Sequence, residues 1–250
     1  MIIRIAIPEP TSTDAAYNAR SLPSYVAALQ SAGATPVIIP LHERQDRVAR
    51  LLAGTHGVLL PGSGFDVDPE RYGDLRIPAC GPADAGRSAV DELLLQDAFN
   101  LHKPVFAICY GVQALNVWLN GSLIQDLEAV LHTTVDHAPG RDVVNAHPIR
   151  IAAASRLSVA SESLEGNCNS SHHQAIGRPG DNLRVTAVCP TDGVTEAIEL
   201  DSPSHFVVGV QWHPERTYTV SPLSRALFAV FVKAAETWQP RSVERSATPA

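Results

Sequence analysis

Residues 103–113 read Lys103-Pro-Val-Phe-Ala-Ile-Cys109-Tyr-Gly111-Val-Gln113. The run up to Ile108 is apolar throughout, as a strand buried on both faces requires. A cysteine follows at once, and residues 112–120 then carry a helical pattern that stops at Gly121. The chain must therefore reverse sharply at Cys109, and Gly111 removes a side chain where strand and helix pack closely. A turn of this kind projects one side chain from the carboxyl end of a sheet. It also sets backbone N–H groups and a helix N-terminus beside that side chain, which favours a thiolate and a developing oxyanion. A free cysteine is most often just a small buried hydrophobe, so the turn by itself leaves both readings of Cys109 open. Cys80, Cys168 and Cys189 have no such context and read as core residues.

Working outward, short apolar runs alternate with longer helical patterns. Strands are expected over 2–8, 35–40, 57–61 and 104–108. Helices are expected over 23–32, with Pro23 in the first turn and Gly33 as the stop, and over 44–53 and 87–101. The second half is richer in strands, over 144–152, 183–188, 194–200 and 205–212, and closes with a helix over 222–237. This alternation predicts an α/β fold with three layers, α/β/α, around a central mainly parallel sheet. No repeat or linker divides the chain, so residues 1–238 are expected to form a single domain, followed by a small, polar, frayed tail over 239–250.

Composition narrows the function. With 250 residues a full core is available. Nineteen Lys and Arg against 26 Asp and Glu give a net charge of −7, which argues against a binder of nucleic acid. The apolar runs are too short to span a bilayer, and the N-terminus lacks the basic region and cleavage site of a signal peptide. Four cysteines without a CxxC pair do not make a disulfide scaffold, so a reducing cytoplasm is the expected location.

A nucleophilic thiol needs a base within reach. Among ten histidines, His213 stands at the end of a strand in Gln211-Trp-His213-Pro-Glu215. Residues two apart share a side in extended chain, so Glu215 can orient His213, and Pro214 stiffens the pair. Without Cys109, a surface histidine beside a solvated glutamate would be the better reading.

An elbow cysteine with Gln-Trp-His-Pro-Glu far downstream resembles the class I glutamine amidotransferase superfamily. Further segments resemble its γ-glutamyl-γ-aminobutyrate hydrolase-like branch, the peptidase C26 family: Leu60-Pro-Gly-Ser63, Val67-Asp-Pro-Glu-Arg-Tyr-Gly-Asp74, Asn169-Ser-Ser-His-His-Gln-Ala175, and the stretch over 116–126. The resemblance implies a flavodoxin-like fold and a Cys-His-Glu triad of Cys109, His213 and Glu215. It implies oxyanion donors at the backbone N–H groups of Gly62 and Tyr110. Gln113, Ser171, His172 and His173 would line the pocket for the glutamyl group. Three departures stand out. Ala107 replaces a glycine. Tyr110 replaces the arginine usual after the cysteine, which puts specificity for the leaving group in question. In the helix before the elbow, Arg87-Ser-Ala-Val-Asp91 stands where Arg-Asp-x-x-Glu is usual.

No cofactor is expected, because a thioester route uses only protein groups. No metal is expected either: His132, His137 and His147 are loosely spaced, and adjacent His172 and His173 point to opposite sides of an extended segment. Asp66, Asp68, Glu70 and Asp74 form an acidic stretch that reads first as a solvated loop and second as an attractant for a cationic leaving group.

The resemblance implies a free-standing hydrolase that cleaves a small γ-glutamyl amine, of the kind met in polyamine catabolism, into glutamate and an amine. The alternative is a glutaminase subunit passing ammonia to a separate synthase partner. A redox sensor or binding module ranks last, since all three triad residues are present. The partner expected is a small-molecule γ-glutamyl substrate, with no nucleic acid or membrane, and a homodimer is the default for a soluble assembly.

Overall fold

The computed structural model describes residues 2–240. The first half runs β1 (Ile3–Pro8), α1 (Ala15–Ser31), β2 (Ala34–Ile39), α2 (Gln45–Leu52), β3 (Gly57–Leu60), α3 (Ala85–Leu101), β4 (Val105–Ile108) and α4 (Tyr110–Trp118). It continues through β5 (Leu123–Ile124), α5 (Leu127–Leu131), β6 (His147–Ile151), α6 (Arg156–Ser161), β7 (Glu165–Cys168), β8 (Ala175–Ile176), β9 (Leu183–Val188), β10 (Thr195–Leu200), β11 (Val207–Val210) and α7 (Pro222–Thr237).

The strands form one sheet in the order β2-β1-β3-β4-β11-β10-β9-β6-β7. From β2 to β11 every pairing is parallel, and from β11 to β7 every pairing is antiparallel. The expected parallel sheet is thus the half that carries β4, extended by an antiparallel half. Alternation along β4 builds the two cores. Phe106 and Ile108 pack with Phe228 and Phe231 of α7 and Tyr25 and Leu29 of α1. Val105 and Ala107 face the other layer, with Val48, Leu94 and Val112 from α2, α3 and α4. Each large aliphatic or aromatic side chain withdrawn from water in this way contributes about 1.5–3 kcal/mol.

Most elements fall where the periodicity places them, with two differences. Helix α1 begins at Ala15, where the Asp14 side chain accepts a hydrogen bond from the Tyr17 amide at 2.8 Å, so Pro23 lies inside the helix and not in its first turn. The cap and the apolar face buried by Tyr25, Ala28 and Leu29 outweigh the one backbone bond that proline forfeits. The short elements α5, α6, β5, β7 and β8 are too brief to show a period. The expected tail beyond residue 240 lies outside the described residues. Among those residues no helix is long and apolar enough to cross a membrane.

Candidate active site

Strands β4 and β11 are parallel neighbours with Ile108 opposite Val210, so their carboxyl ends open at the same place. Cys109 follows β4 directly with φ 53° and ψ −112°, and its N–H donates to the Val210 carbonyl at 2.9 Å. A positive φ on a non-glycine residue costs about 1–3 kcal/mol and persists only where packing imposes it. The packing here is tight: a Cβ on Gly111 would stand 2.2 Å from the Leu60 carbonyl oxygen on β3. Glycine alone lets α4 start this close to the sheet.

His213 lies just past β11, and its Nδ1 is 2.8 Å from Glu215 Oε1. The carboxylate can only accept, so Nδ1 carries the proton and Nε2 is left for the thiol. Gly62 marks how closely the groups gather: a Cβ there would lie 3.0 Å from the Tyr25 hydroxyl, 3.1 Å from His213 Cε1 and 3.6 Å from Cys109 Cβ. His213 and Glu215 are each 2% exposed and Cys109 is 7% exposed, so these charges interact with little screening from water.

The electrostatics follow from that burial. Burial by itself pushes the Cys109 thiol up, but the His213 imidazole outweighs it and holds the thiol below its ordinary value. Burial pulls His213 down, while Glu215 and then Cys109 push it up, to about 9. Burial raises Glu215, yet His213 and Arg216 hold it below the ordinary carboxylate value. These directions favour a thiolate–imidazolium pair braced by a buried carboxylate, the arrangement that a nucleophile with its base would use. The rate of any reaction that uses the pair should therefore fall on the acid side as Cys109 gains a proton. It should fall on the alkaline side near pH 9 as His213 loses its own. Glu215→Gln removes the group that raises His213, so its pH–rate profile should show the alkaline limb moved down toward the ordinary imidazole value. An unmoved limb would mean that Glu215 does not tune His213.

Other expected residues are placed less simply. The Gly62 N–H, one expected oxyanion donor, donates at 3.0 Å to the Tyr25 hydroxyl. The Tyr110 N–H belongs to the first turn of α4, where amides have no partner within the helix. The Tyr110 side chain, the departure that puts leaving-group specificity in question, is buried: its ring lies 4.8 Å beneath the Arg87 guanidinium and its hydroxyl is 3.4 Å from Ser88 Oγ. Two departures from the family pattern, Ser88 and Tyr110, thus meet each other. Gln113 is buried, with its amide donating to the Gln174 carbonyl at 3.1 Å and to Gln211 at 3.3 Å. Ser171 is half-buried. His172 faces inward and lowers the Cys109 thiol at a distance. His173 is exposed where His172 is buried, at a bend between β7 and β8. It bridges Asp66 at 3.0 Å and Asp126 at 3.1 Å, and these carboxylates raise it to about 9. The acidic stretch reads as structure: Asp66 holds His173 and the Gly81 amide, and Asp68 caps a short turn over Pro69–Tyr72.

Two residues at the site, and a third away from the triad, escape sequence reasoning. Tyr25 comes from mid-helix and reaches Gly62. Asn169 clamps the base, accepting from the His213 N–H and donating to its carbonyl, both at 2.8 Å. Glu196, buried on β10, meets His137, His147 and His172, which chain spacing keeps apart. A family-specific Asn-Ser-Ser-His-His run is the only signal for Asn169; nothing in the pattern of β10 singles out Glu196.

The chain is 32% identical over 219 residues to the γ-glutamyl-γ-aminobutyrate hydrolase PuuD of Escherichia coli, covering 85% of each chain. It is 37% identical over 205 residues to a protein of Mycobacterium tuberculosis provisionally named a glutamine amidotransferase; the match covers 81% of this chain and 65% of that relative. In fold it resembles a Thermoplasma acidophilum protein provisionally named as part of a GMP synthase, with a TM-score of 0.65, 13% identity, and coverage of 95% and 96% of the two chains. Residues 5–215 match the peptidase C26 family. The chain belongs to the peptidase C26 family of hydrolases acting on carbon–nitrogen bonds.

Proposed function

We propose that this protein hydrolyses the γ-glutamyl amide bond of a small γ-glutamyl amine, with Cys109, His213 and Glu215 as its catalytic triad. The observation that carries the reading is the pairing of a strained elbow cysteine with a histidine whose Nδ1 is held 2.8 Å from a buried glutamate. The Cys109 thiolate attacks the γ-carbonyl carbon and forms the carbon–sulfur bond, while the carbonyl electrons move onto oxygen. The Tyr110 N–H stabilises that oxyanion, and the Gly62 N–H joins it once released from Tyr25. His213 delivers its proton to the amine as the carbon–nitrogen bond breaks. Water, deprotonated by His213, then cleaves the thioester and releases glutamate.

The similarity to PuuD supports a γ-glutamyl amine as substrate. A second reading, a glutaminase that supplies ammonia to a synthase, is supported by the likeness to the Mycobacterium tuberculosis protein. The two are separated by glutamate release from glutamine, γ-glutamyl-γ-aminobutyrate, γ-glutamyl-putrescine and a γ-glutamyl peptide. Turnover of the amine conjugates and not of glutamine is the expected result. Turnover of glutamine alone would favour the second reading, and silence on all four would overturn the first.

A further inference from the structure

Four side chains that the triad does not use converge in the antiparallel half of the fold. His137 comes from the loop after α5, His147 opens β6, His172 lies between β7 and β8, and Glu196 sits on β10. All four are buried, and Glu196 is completely so. One nitrogen of each histidine faces the same carboxylate oxygen, Glu196 Oε1: His137 Nδ1 at 3.4 Å, His147 Nε2 at 3.5 Å and His172 Nε2 at 3.7 Å.

The far nitrogen of each ring decides what the near one can be. His137 Nε2 is 2.9 Å from Asp192 Oδ2, His147 Nδ1 is 3.1 Å from the Pro148 carbonyl, and His172 Nδ1 is 3.0 Å from the Gln174 carbonyl. Each of these partners only accepts, so each far nitrogen carries a proton, and in the neutral imidazole each near nitrogen presents a lone pair. Three lone pairs and a carboxylate oxygen therefore point at one another. His137 Nδ1, His172 Nε2 and both oxygens of Glu196 have no hydrogen-bond partner. Such an arrangement of buried acceptors is relieved by a positive charge placed among them, either a metal ion or a proton.

We propose that His137, His147, His172 and Glu196 form a binding site for one zinc-class divalent ion. The spacing fits: with bonds of about 2.0–2.1 Å, the edge of a tetrahedral zinc site is about 3.4 Å, close to the three nitrogen-to-oxygen separations. Three imidazoles and one carboxylate are ligands of borderline softness, which favours zinc over magnesium or calcium. The outer hydrogen bonds from Asp192 and two carbonyls are the kind that orient metal-binding imidazoles. Four protein ligands close the coordination, so the ion is structural. It ties four distant segments together, one of which carries Asn169, the residue that clamps His213. Loose spacing along the chain hides the site because each ligand comes from a different segment.

The test uses the untagged full chain, stripped with a chelator and titrated with CoCl₂ and then ZnCl₂. Binding of about one cobalt per chain, with the visible bands of a tetrahedral site and displacement by zinc, is the expected result. Asp192→Asn should weaken affinity by about 10- to 100-fold, since it takes the carboxylate from the outer nitrogen of His137 without removing a ligand. His147→Ala with His172→Ala should abolish binding. Should that pair fail to fold, the wild-type cobalt spectrum still decides: a near-ultraviolet thiolate-to-cobalt band would assign the ion to a cysteine and overturn the proposal. So would binding that survives in the folded double variant, which would place the ion on His137, Cys189 and Asp192 instead. A folded wild type that takes up neither metal would also overturn it, leaving a proton shared between a histidine and Glu196.

Discussion

Cys109→Ala is expected to lower kcat for γ-glutamyl amide hydrolysis by about 10⁴-fold or more, the scale seen when the nucleophile of a triad is removed. His213→Ala should cost nearly as much, and the double variant should cost little more than either single one. The reason is that the two groups act as one unit. Without the thiol, His213 has nothing to activate; without His213, nothing holds the buried thiol below its ordinary value or protonates the leaving amine. Steady-state kinetics on the most reactive γ-glutamyl substrate measure this directly, with circular dichroism to confirm folding. Losses that multiply in the double variant would mean that Cys109 and His213 work independently, and the triad reading would fail.

The second large effect concerns Arg87, which is fully buried on α3. Its Nε donates to both oxygens of Asp91, at 2.8 and 2.9 Å, and its terminal nitrogens donate to the carbonyls of Pro10 at 2.8 Å and Pro61 at 2.6 Å. Arg87→Met leaves the Asp91 carboxylate buried without its partner, which destabilises by about 3–5 kcal/mol. In a domain of this size that lowers the melting temperature by about 6–20 °C. Arg87→Met combined with Asp91→Leu removes both charges and should recover most of the stability, because replacing a buried ion pair whole is often near neutral. Activity should not recover with it. Pro61 immediately precedes Gly62, so the lost hydrogen bond frees the loop that carries an expected oxyanion donor, and the defect should appear in kcat more than in KM. Equal stability of the single and double variants would show that the pair carries no buried-charge penalty. Full recovery of kcat in the double variant would show that Arg87 does not position the loop.

Much of the architecture is legible in local pattern. A run of four apolar residues ending in a cysteine and followed by a helical period can fold in few ways, and the strand–turn–helix at Cys109 forms as expected. Glu215 reaches His213 from two positions on, as expected, but by a different route: residues Pro214–Arg216 form a short 3-10 turn behind His213, and that turn, not strand alternation, brings the carboxylate to Nδ1. Helix α7 begins at Pro222 behind a Ser221 cap, again a local signal. Where local signals compete, tertiary packing chooses: Asp14 and the buried face of α1 carry that helix past Pro23.

What the sequence by itself determined was the alternating α/β plan, the elbow, the histidine with its carboxylate, and the family motifs, all written in residues close together along the chain. The tertiary structure decided what lies between distant segments. It turned Tyr110 inward onto Arg87 and Ser88, set Tyr25 against the Gly62 amide, clamped His213 with Asn169, and gathered three loosely spaced histidines around Glu196. The physical reason is range. Periodicity, caps and turns act over a few residues, whereas burial brings together groups separated by 61 positions in the Gln113–Gln174 contact and by 107 in the Asp66–His173 contact. Only the packed sheet and its loops set those distances.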